Sequence, residues 1–100
     1  MSIPAKLAIN LTDFVPSGID YVDYWAVCFR YDGTFKNHWE SFRTKKDRQL
    51  EMISAPHQCK VGDVVRVAVK VIDVFANDFM RVLDIEIPPP DMSDVKALLG

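Results

Sequence analysis

The sequence predicts an all-β fold, an antiparallel β-sandwich, and three observations favour this class. Roughly five to seven short runs of residues have strand-like patterns. Turn residues separate these runs about every ten residues, and helix signals are few. Short strands at this spacing are typical of two antiparallel sheets packed face to face.

The strongest strand signal is the valine-rich run over residues 64–72. Alternate positions of this run share one face, and they are occupied by Val65, Val67, Val69 and Val71. Residues 79–87 alternate in the same way, with Leu83, Ile85 and Ile87 on one face. Two such runs joined by a short connection predict a β-hairpin.

The turn of this hairpin is expected near Ala76, beside Asn77 and Asp78, two residue types that tolerate turn conformations. This turn places Arg66 opposite Glu86. Such an opposite-charge pair contributes about 0.2–1 kcal/mol. Burial of the valine face sets the register, because a slip of one residue would expose that face.

A second pair of strands is predicted upstream. The run Tyr21–Tyr31 is largely apolar on both faces, which suits a central strand. Asp32 and Gly33 form a strong turn signal. Residues 34–43 then return as a strand anchored by Phe35, Trp39 and Phe42. Phe42 does not keep the strict alternation of Phe35 and Trp39, so we expect a bulge or an irregular stretch there.

The remaining strands are short. Leu7–Leu11 is predicted to be an edge strand, and Arg48–Ile53 to be either a strand or a helical turn. A strand containing Trp25, followed later by a long hairpin, is compatible with an immunoglobulin-like order.

The domain is expected to occupy residues 1–87, followed by a proline-rich linker and tail over residues 88–100. The three consecutive prolines stop the last strand and favour an extended chain. Ser93 is placed to cap a short helix over residues 94–99. This ending suggests that the chain is excised from a longer protein.

The composition and charge argue against several classes of protein. Twelve basic and fourteen acidic side chains give a net charge of −2, which argues against a protein that is basic as a whole and binds nucleic acid through that charge. No apolar run approaches the roughly 20 residues that cross a bilayer, and the first ten residues lack a signal-peptide core. Cys28 and Cys59 are expected to be buried or half-buried thiols in a reducing cytoplasm, with one inter-sheet disulfide as the alternative.

Motifs for catalysis are absent from the sequence. It contains no nucleophile elbow, dinucleotide fingerprint, phosphate-binding loop or zinc-protease motif. We therefore expect no enzyme, no cofactor and no metal site in this domain. Asp20, Asp23 and Asp32 are interpreted as solvent-facing or turn residues, and His57 as a loop residue with a structural hydrogen bond.

A basic segment, residues 43–48, is the one unusual surface feature. It carries four positive charges and one negative charge, and Trp39 precedes it. The candidate contacts to a DNA backbone are therefore Trp39, Arg43, Lys45, Lys46 and Arg48. The simpler interpretation, which we favour, is a solvated loop that protects a sheet edge. An acidic surface of a neighbouring domain is a further candidate partner.

Two stretches of the chain resemble known families. Residues 54–63 and 69–73 resemble the signature of PKD-like immunoglobulin-fold domains, with Cys59 at the position of a tyrosine and Val61 at that of a proline. Residues 19–27, 31–33, 39–46 and 67–78 resemble a segment of bacterial adenine-specific DNA methyltransferases and restriction–modification proteins. The second resemblance spans residues 19–87 and includes no catalytic motif of those enzymes.

The resemblance to methyltransferase-associated segments implies a non-catalytic accessory module. Its partners would be neighbouring domains of a larger protein or the DNA backbone, and not a membrane. The alternative is a general PKD-like module that binds protein or carbohydrate. A sugar platform built from Tyr24, Trp25 and Trp39 conflicts with the strand pattern, because alternation places the first two on opposite faces.

Overall fold

The computed structural model describes residues 3–15 and 17–89, and these residues form two antiparallel sheets. A two-stranded ribbon pairs β1 (Pro4–Leu7) with β4 (His57–Lys60). The larger sheet has the spatial order β3-β2-β5-β6, formed by β3 (Trp39–Phe42), β2 (Val22–Phe29), β5 (Val64–Asp73) and β6 (Asp78–Glu86). The described residues contain two 3₁₀ turns, Leu11–Asp13 and Ile19–Tyr21, and no α-helix. The predicted all-β class and its antiparallel sheets are thus confirmed.

The hydrophobic core lies between the larger sheet and the layer formed by the ribbon and residues 9–15. Alternate residues of β2 and β5 face this layer and are buried: Trp25, Val27, Phe29, Val65, Val67, Val69 and Val71. Ile9, Leu11 and Phe14 cover them from the other side. Each fully buried side chain of this kind contributes about 1.5–3 kcal/mol relative to its exposed state. The valine alternation therefore determines which face of the sheet is inside.

The predicted hairpin forms, but its register differs from the prediction by two residues. Arg66 is opposite Asp84, and not opposite Glu86, whose partner is Val64. The guanidinium of Arg66 donates to the Asp84 carboxylate at 2.9 Å, so the cross-strand charge pair exists with a different acidic residue. The turn is not centred on Ala76. The Asp73 side chain closes it by accepting hydrogen bonds from the backbone.

The predicted second pair of strands is shorter than expected. β2 ends at Phe29 and β3 begins only at Trp39, so Phe35 lies in a loop rather than in a strand. Phe42 pairs regularly with Tyr24, and the irregularity lies instead in β2, between Val22 and Tyr24 where it meets β5. The prediction of a bulge at Phe42 was wrong.

The loop over residues 30–38 covers the second face of the larger sheet. Ala26, Cys28 and Ala68 are buried on that face. The backbone N–H of Lys36 contacts the Cys28 Sγ at 3.3 Å, and the Lys70 ammonium lies 4.6 Å from the centre of the Phe35 ring. Small side chains on this face leave room for the loop to pack against the sheet.

Two short predicted strands are replaced by single bridges and turns. Strand β1 overlaps the predicted run Leu7–Leu11 only at Leu7, and beyond it a single bridge joins Asn10 to Ile53. Residues 48–52 form no strand. Trp25 donates its indole N–H to the carbonyl of Glu51 at 2.7 Å, which ties this irregular segment to the core.

Both cysteines are buried and free, and they form no disulfide with each other. No helix among the described residues is long and apolar enough to span a membrane. The helix predicted after Ser93 lies outside the described residues.

Candidate docking surface

The two arginines of the basic segment are engaged within the domain. Arg43 donates from Nε to the carbonyl of Val22 at 2.9 Å and from Nη1 to the carbonyl of Arg48. The Arg48 guanidinium lies 3.3 Å from the Asp23 carboxylate. These contacts hold the segment against the start of β2, so both side chains have a structural role.

Lys45 and Lys46, by contrast, are exposed at the tip of the segment. The tip is a turn in which Asp47 donates its backbone N–H to Thr44 Oγ1 at 2.8 Å, and Thr44 donates its N–H to the Asp47 carbonyl at 2.7 Å. Within residues 3–15 and 17–89, neither lysine takes part in an ion pair. The segment therefore presents two unneutralised positive charges to solvent.

Trp39 does not present an exposed ring face beside this basic tip. Its ring lies on the core side of β3, edge to face with Trp25 at 4.7 Å between ring centres. Trp25 is completely buried. A flat sugar platform made of Tyr24 and these two tryptophans is therefore not formed.

A hydrogen-bonded cluster occupies the second face of the sheet near β3. The Tyr24 hydroxyl donates to Glu40 Oε2 at 2.7 Å, and the Asn37 amide donates to the same oxygen at 2.8 Å. Burial and the bond to Glu40 raise the pKa of Tyr24 to about 12. The same bond lowers the pKa of the Glu40 carboxyl. Both groups thus keep their ordinary charge states near neutral pH, and the cluster holds β3 and the loop together.

His57 lies in β4, not in a loop, and stacks on Phe29 with 4.5 Å between the ring centres. Its Nε2 is buried and has no hydrogen-bond partner among the described residues. Burial, followed by the nearby Arg30, lowers the pKa of His57. The expected structural hydrogen bond at this nitrogen is absent from the described part of the chain, and the ring acts as a flat apolar side chain.

One groove, of about 660 Å³, lies between the ribbon and the end of β2. It is open, and its polar lining comes mainly from Lys6, Arg30, Lys60 and Asp63. Arg30 is paired with Asp63 at 3.5 Å. No group of metal-binding side chains occurs here or elsewhere in the part of the chain that the structure describes. The groove combines these charged side chains with the apolar Pro4, Ala5 and Cys59.

A second groove, of about 480 Å³, is aromatic. It lies where the start of β6 meets the 3₁₀ turn before β2, and we call it the aromatic groove. Its prominent side chains are Phe14, Tyr21, Phe75, Phe79 and Arg81. Phe75 is 68% exposed and Tyr21 55% exposed, and their rings contact each other at 5.8 Å between centres. A contiguous patch of exposed apolar side chains is a candidate interaction site.

Strand β6 continues this apolar surface along the edge of the sheet. Phe79 and Leu83 on one face, and Met80 and Val82 on the other, are each 40–42% exposed. β6 has only one neighbouring strand, β5, so its other side is a free edge. We call the aromatic groove and β6 together the docking surface.

Some charged side chains of β6 have partners within the domain, and others form no ion pair with the described residues. Arg81 donates to the carbonyl of Phe14 at 3.0 Å, and Asp84 is paired with Arg66. Asp78 and Glu86, at the two ends of the strand, are exposed and form no ion pair with any described residue. The strand thus presents an apolar middle between two unneutralised carboxylates.

Sequence reasoning selected the basic segment and missed the docking surface. The alternation in residues 79–87 correctly indicated a strand, but the same alternation occurs in strands with two neighbours. The available signal was the presence of apolar residues on both faces, Met80 and Val82 as well as Leu83.

Comparisons of the chain with protein-family models, with curated proteins and with solved structures found no match. Its function is therefore inferred from the geometry of the described residues.

Proposed function

We propose that this chain is a non-catalytic docking module, a small immunoglobulin-like sandwich that binds a neighbouring protein domain through its docking surface. The strand order supports the immunoglobulin-like assignment. The order β6-β5-β2-β3 corresponds to strands G, F, C and C′ of a variable-type domain, and the β1–β4 pair corresponds to strands B and E. Trp25 occupies the buried position on strand C that is typical of this fold.

The connected apolar surface is the observation that carries the proposal. Isolated exposed apolar side chains are common on proteins, whereas a connected set indicates an interaction site. Here Tyr21, Phe75 and Phe79 line one groove, and Leu83 is exposed further along the same face of β6. Aromatic residues of this kind are enriched in the centres of protein interfaces.

The resemblance to accessory segments of bacterial adenine-specific DNA methyltransferases suggests the class of partner. We propose a neighbouring domain of a DNA-modifying protein, for which the module supplies a docking surface and no catalytic group. Burial of the docking surface against that domain would remove its aromatic side chains from water, at about 25 cal/mol for each Å² of apolar area.

A co-purification experiment tests this function. The chain is expressed together with a bacterial adenine-specific DNA methyltransferase, and the two are purified through a tag on the chain. We expect Phe75→Asp and Leu83→Asp to abolish co-purification, because each places a charge within the apolar interface. Ile53→Asp is the matched control, since Ile53 is also exposed, at 56%, but lies away from the docking surface. Equal capture by all variants, or none by the native chain, would contradict the proposal.

A second candidate function, contact with the DNA backbone, is favoured by the exposed pair Lys45 and Lys46. Two phosphate contacts would give weak binding. The logarithm of the association constant should fall linearly with the logarithm of the salt concentration, with a slope of about −1.8. Fluorescence anisotropy with a short duplex tests this, using the double variant K45E/K46E and the control Lys36→Glu. Selective loss of binding in the double variant supports the contact. Unchanged binding contradicts it.

A further inference from the structure

Resting on the proposed docking function, we infer that the free edge of β6 binds an extended peptide segment as an added antiparallel strand. The segment carries basic side chains at its two ends and apolar side chains between them. Three features of β6 lead to this inference: the direction of its backbone groups, the exposure of its side chains, and the position of its charges.

The backbone of β6 has its free hydrogen-bonding groups on alternate residues. At one end of the hairpin, Ile87 donates its N–H to the carbonyl of Asp63, and at the other, Asp73 donates to the carbonyl of Asn77. Both pairs fit the β5–β6 register, so the odd-numbered residues of β6 bond to β5. The N–H and C=O groups of the even-numbered residues therefore point to the free edge: Asp78, Met80, Val82, Asp84 and Glu86.

These outward groups are accessible. β6 is the last strand of its sheet, and all five even-numbered residues are exposed. None of their backbone groups bonds to a turn or loop among the described residues. An edge with such a row of donors and acceptors is a template for a further strand.

Side-chain exposure indicates an apolar middle for the added strand. Met80 and Val82 project from one face of β6, and Phe79 and Leu83 from the other. In an antiparallel pair, directly opposite side chains lie on the same face, about 4.5–5.5 Å apart between Cβ atoms. An added strand with apolar side chains on both faces would thus cover all four residues.

The charges of β6 indicate that the added strand has a basic side chain at each end. Asp78 and Glu86 are separated by eight residue steps, or about 26 Å of extended strand. Both lack an ion-pair partner among the described residues, whereas Asp84 between them is neutralised by Arg66. A segment with a lysine or arginine opposite each end would pair with both carboxylates.

The same charges disfavour a second copy of this chain as the occupant. Two β6 strands paired around Val82 would place Asp78 of each copy opposite Glu86 of the other. A shift that centres the pair on Arg81 would oppose the two arginines. Like charges directly opposite each other destabilise a strand pair in both of these registers, whereas a segment with basic ends pairs with both free carboxylates.

Isothermal titration calorimetry with a synthetic peptide tests the inference on the full chain. The probe is the capped nonapeptide Lys-Val-Thr-Val-Val-Thr-Val-Val-Lys, whose fifth residue is opposite Val82. We expect it to bind, and the peptide with glutamate at both ends to bind about tenfold more weakly. Failure of the lysine-ended peptide to bind, or equal binding of both peptides, would overturn the inference.

Two backbone changes distinguish strand addition from contact through side chains alone. N-methylation of the fifth peptide residue removes an N–H that faces β6, whereas N-methylation of the fourth removes one that faces solvent. We expect the first change to weaken binding by more than about tenfold and the second to leave it nearly unchanged.

On the chain, Val82→Pro removes an outward N–H and should weaken binding of the peptide similarly, with Val82→Thr as the control.

The outcomes separate this inference from the proposed function. If Leu83→Asp abolishes binding of the partner protein but both N-methylated peptides bind like the parent peptide, the docking surface functions without strand addition. In that case the proposed function is supported and the inference is wrong. A dimer in sedimentation velocity that Val82→Pro dissociates would identify a second copy as the occupant and would also overturn the inference.

Discussion

At the scale of single residues, His57 shows how a polar side chain serves as an apolar one. Its ring is stacked on Phe29, and its Nε2 is buried without a partner among the described residues. The neutral imidazole tolerates this environment, whereas the protonated ring would place a charge there, close to the positive Arg30. The environment therefore makes stability depend on pH.

The first prediction concerns that pH dependence. Because the folded pKa of His57 is lowered from 6.5, the unfolded chain binds more protons in the interval just below pH 6.5. The stabilising difference is fully present above pH 6.5 and is lost as the pH falls towards the folded pKa. Urea unfolding of the native chain and of His57→Phe, measured at several pH values, should show a steeper acid-side loss for the native chain. Parallel curves for the two proteins would contradict this role of His57.

The second residue-scale prediction concerns Tyr24. Its pKa of about 12 results from burial and from the bond to the Glu40 carboxylate. Replacement of Glu40 by glutamine removes the negative charge and should lower the pKa of Tyr24, while burial continues to hold it above 10. Ultraviolet absorbance of tyrosinate during alkaline titration measures this, with Tyr24→Phe used to identify the transition. An unchanged Tyr24 transition in Glu40→Gln would show that the carboxylate contributes nothing.

At the scale of elements, the hairpin shows what a residue pattern determines and what it leaves open. The alternation of valines correctly predicted two paired strands and the buried face of β5. The register error of two residues left every face unchanged, since side chains alternate with period two. The turn is set locally instead: Asp73 accepts from the backbone N–H groups of Phe75 and Asn77, at 2.9 and 3.0 Å, and Ala76 adopts a left-handed conformation with φ of 63°.

Residues 34–38 of the loop over residues 30–38 were predicted to belong to a strand over residues 34–43, anchored by Phe35, Trp39 and Phe42, that follows a turn at Asp32 and Gly33. The actual position of the loop depends on tertiary contacts, since it covers Ala26, Cys28 and Ala68, which leave space above the sheet. Single-sequence patterns do not contain that information, because it arises only after β2 and β5 pair.

A third prediction tests the alternation of hydrogen bonds in β6. Leu83→Pro removes an N–H that bonds to β5, whereas Val82→Pro removes one that faces the free edge. We expect Leu83→Pro to lower the free energy of unfolding by at least about 1 kcal/mol more than Val82→Pro does. Urea denaturation of both variants measures the difference. A larger loss in Val82→Pro would mean that the even-numbered residues bond to β5.

At the scale of the whole molecule, the sequence was sufficient for the fold class and insufficient for the candidate site. Hydrophobic periodicity predicts strands and their buried faces, so the all-β class followed directly. The docking surface depends on the position of β6 at the end of the sheet and on the exposure of its side chains after folding. Neither property is local, and the basic segment was more conspicuous in the sequence because its charges are consecutive.

The distribution of charge over the whole domain agrees with this assignment. The arginines of the basic segment are used within the fold, and the unneutralised carboxylates Asp78 and Glu86 flank the exposed apolar strand. The net charge of −2 thus includes a localised acidic feature, and under the proposed function this feature orients a basic partner.

Amide hydrogen exchange, resolved by residue with NMR, tests the central claim most directly. In the free chain, the amides of Met80, Val82 and Asp84 should exchange quickly, while those of Phe79, Arg81 and Leu83 are protected by their bonds to β5. Saturation with the lysine-ended peptide should slow the first set by at least about tenfold. Protection of Met80, Val82 and Asp84 already in the free chain, or exchange that the bound peptide leaves unchanged, would contradict the claim that the free edge of β6 is the docking site.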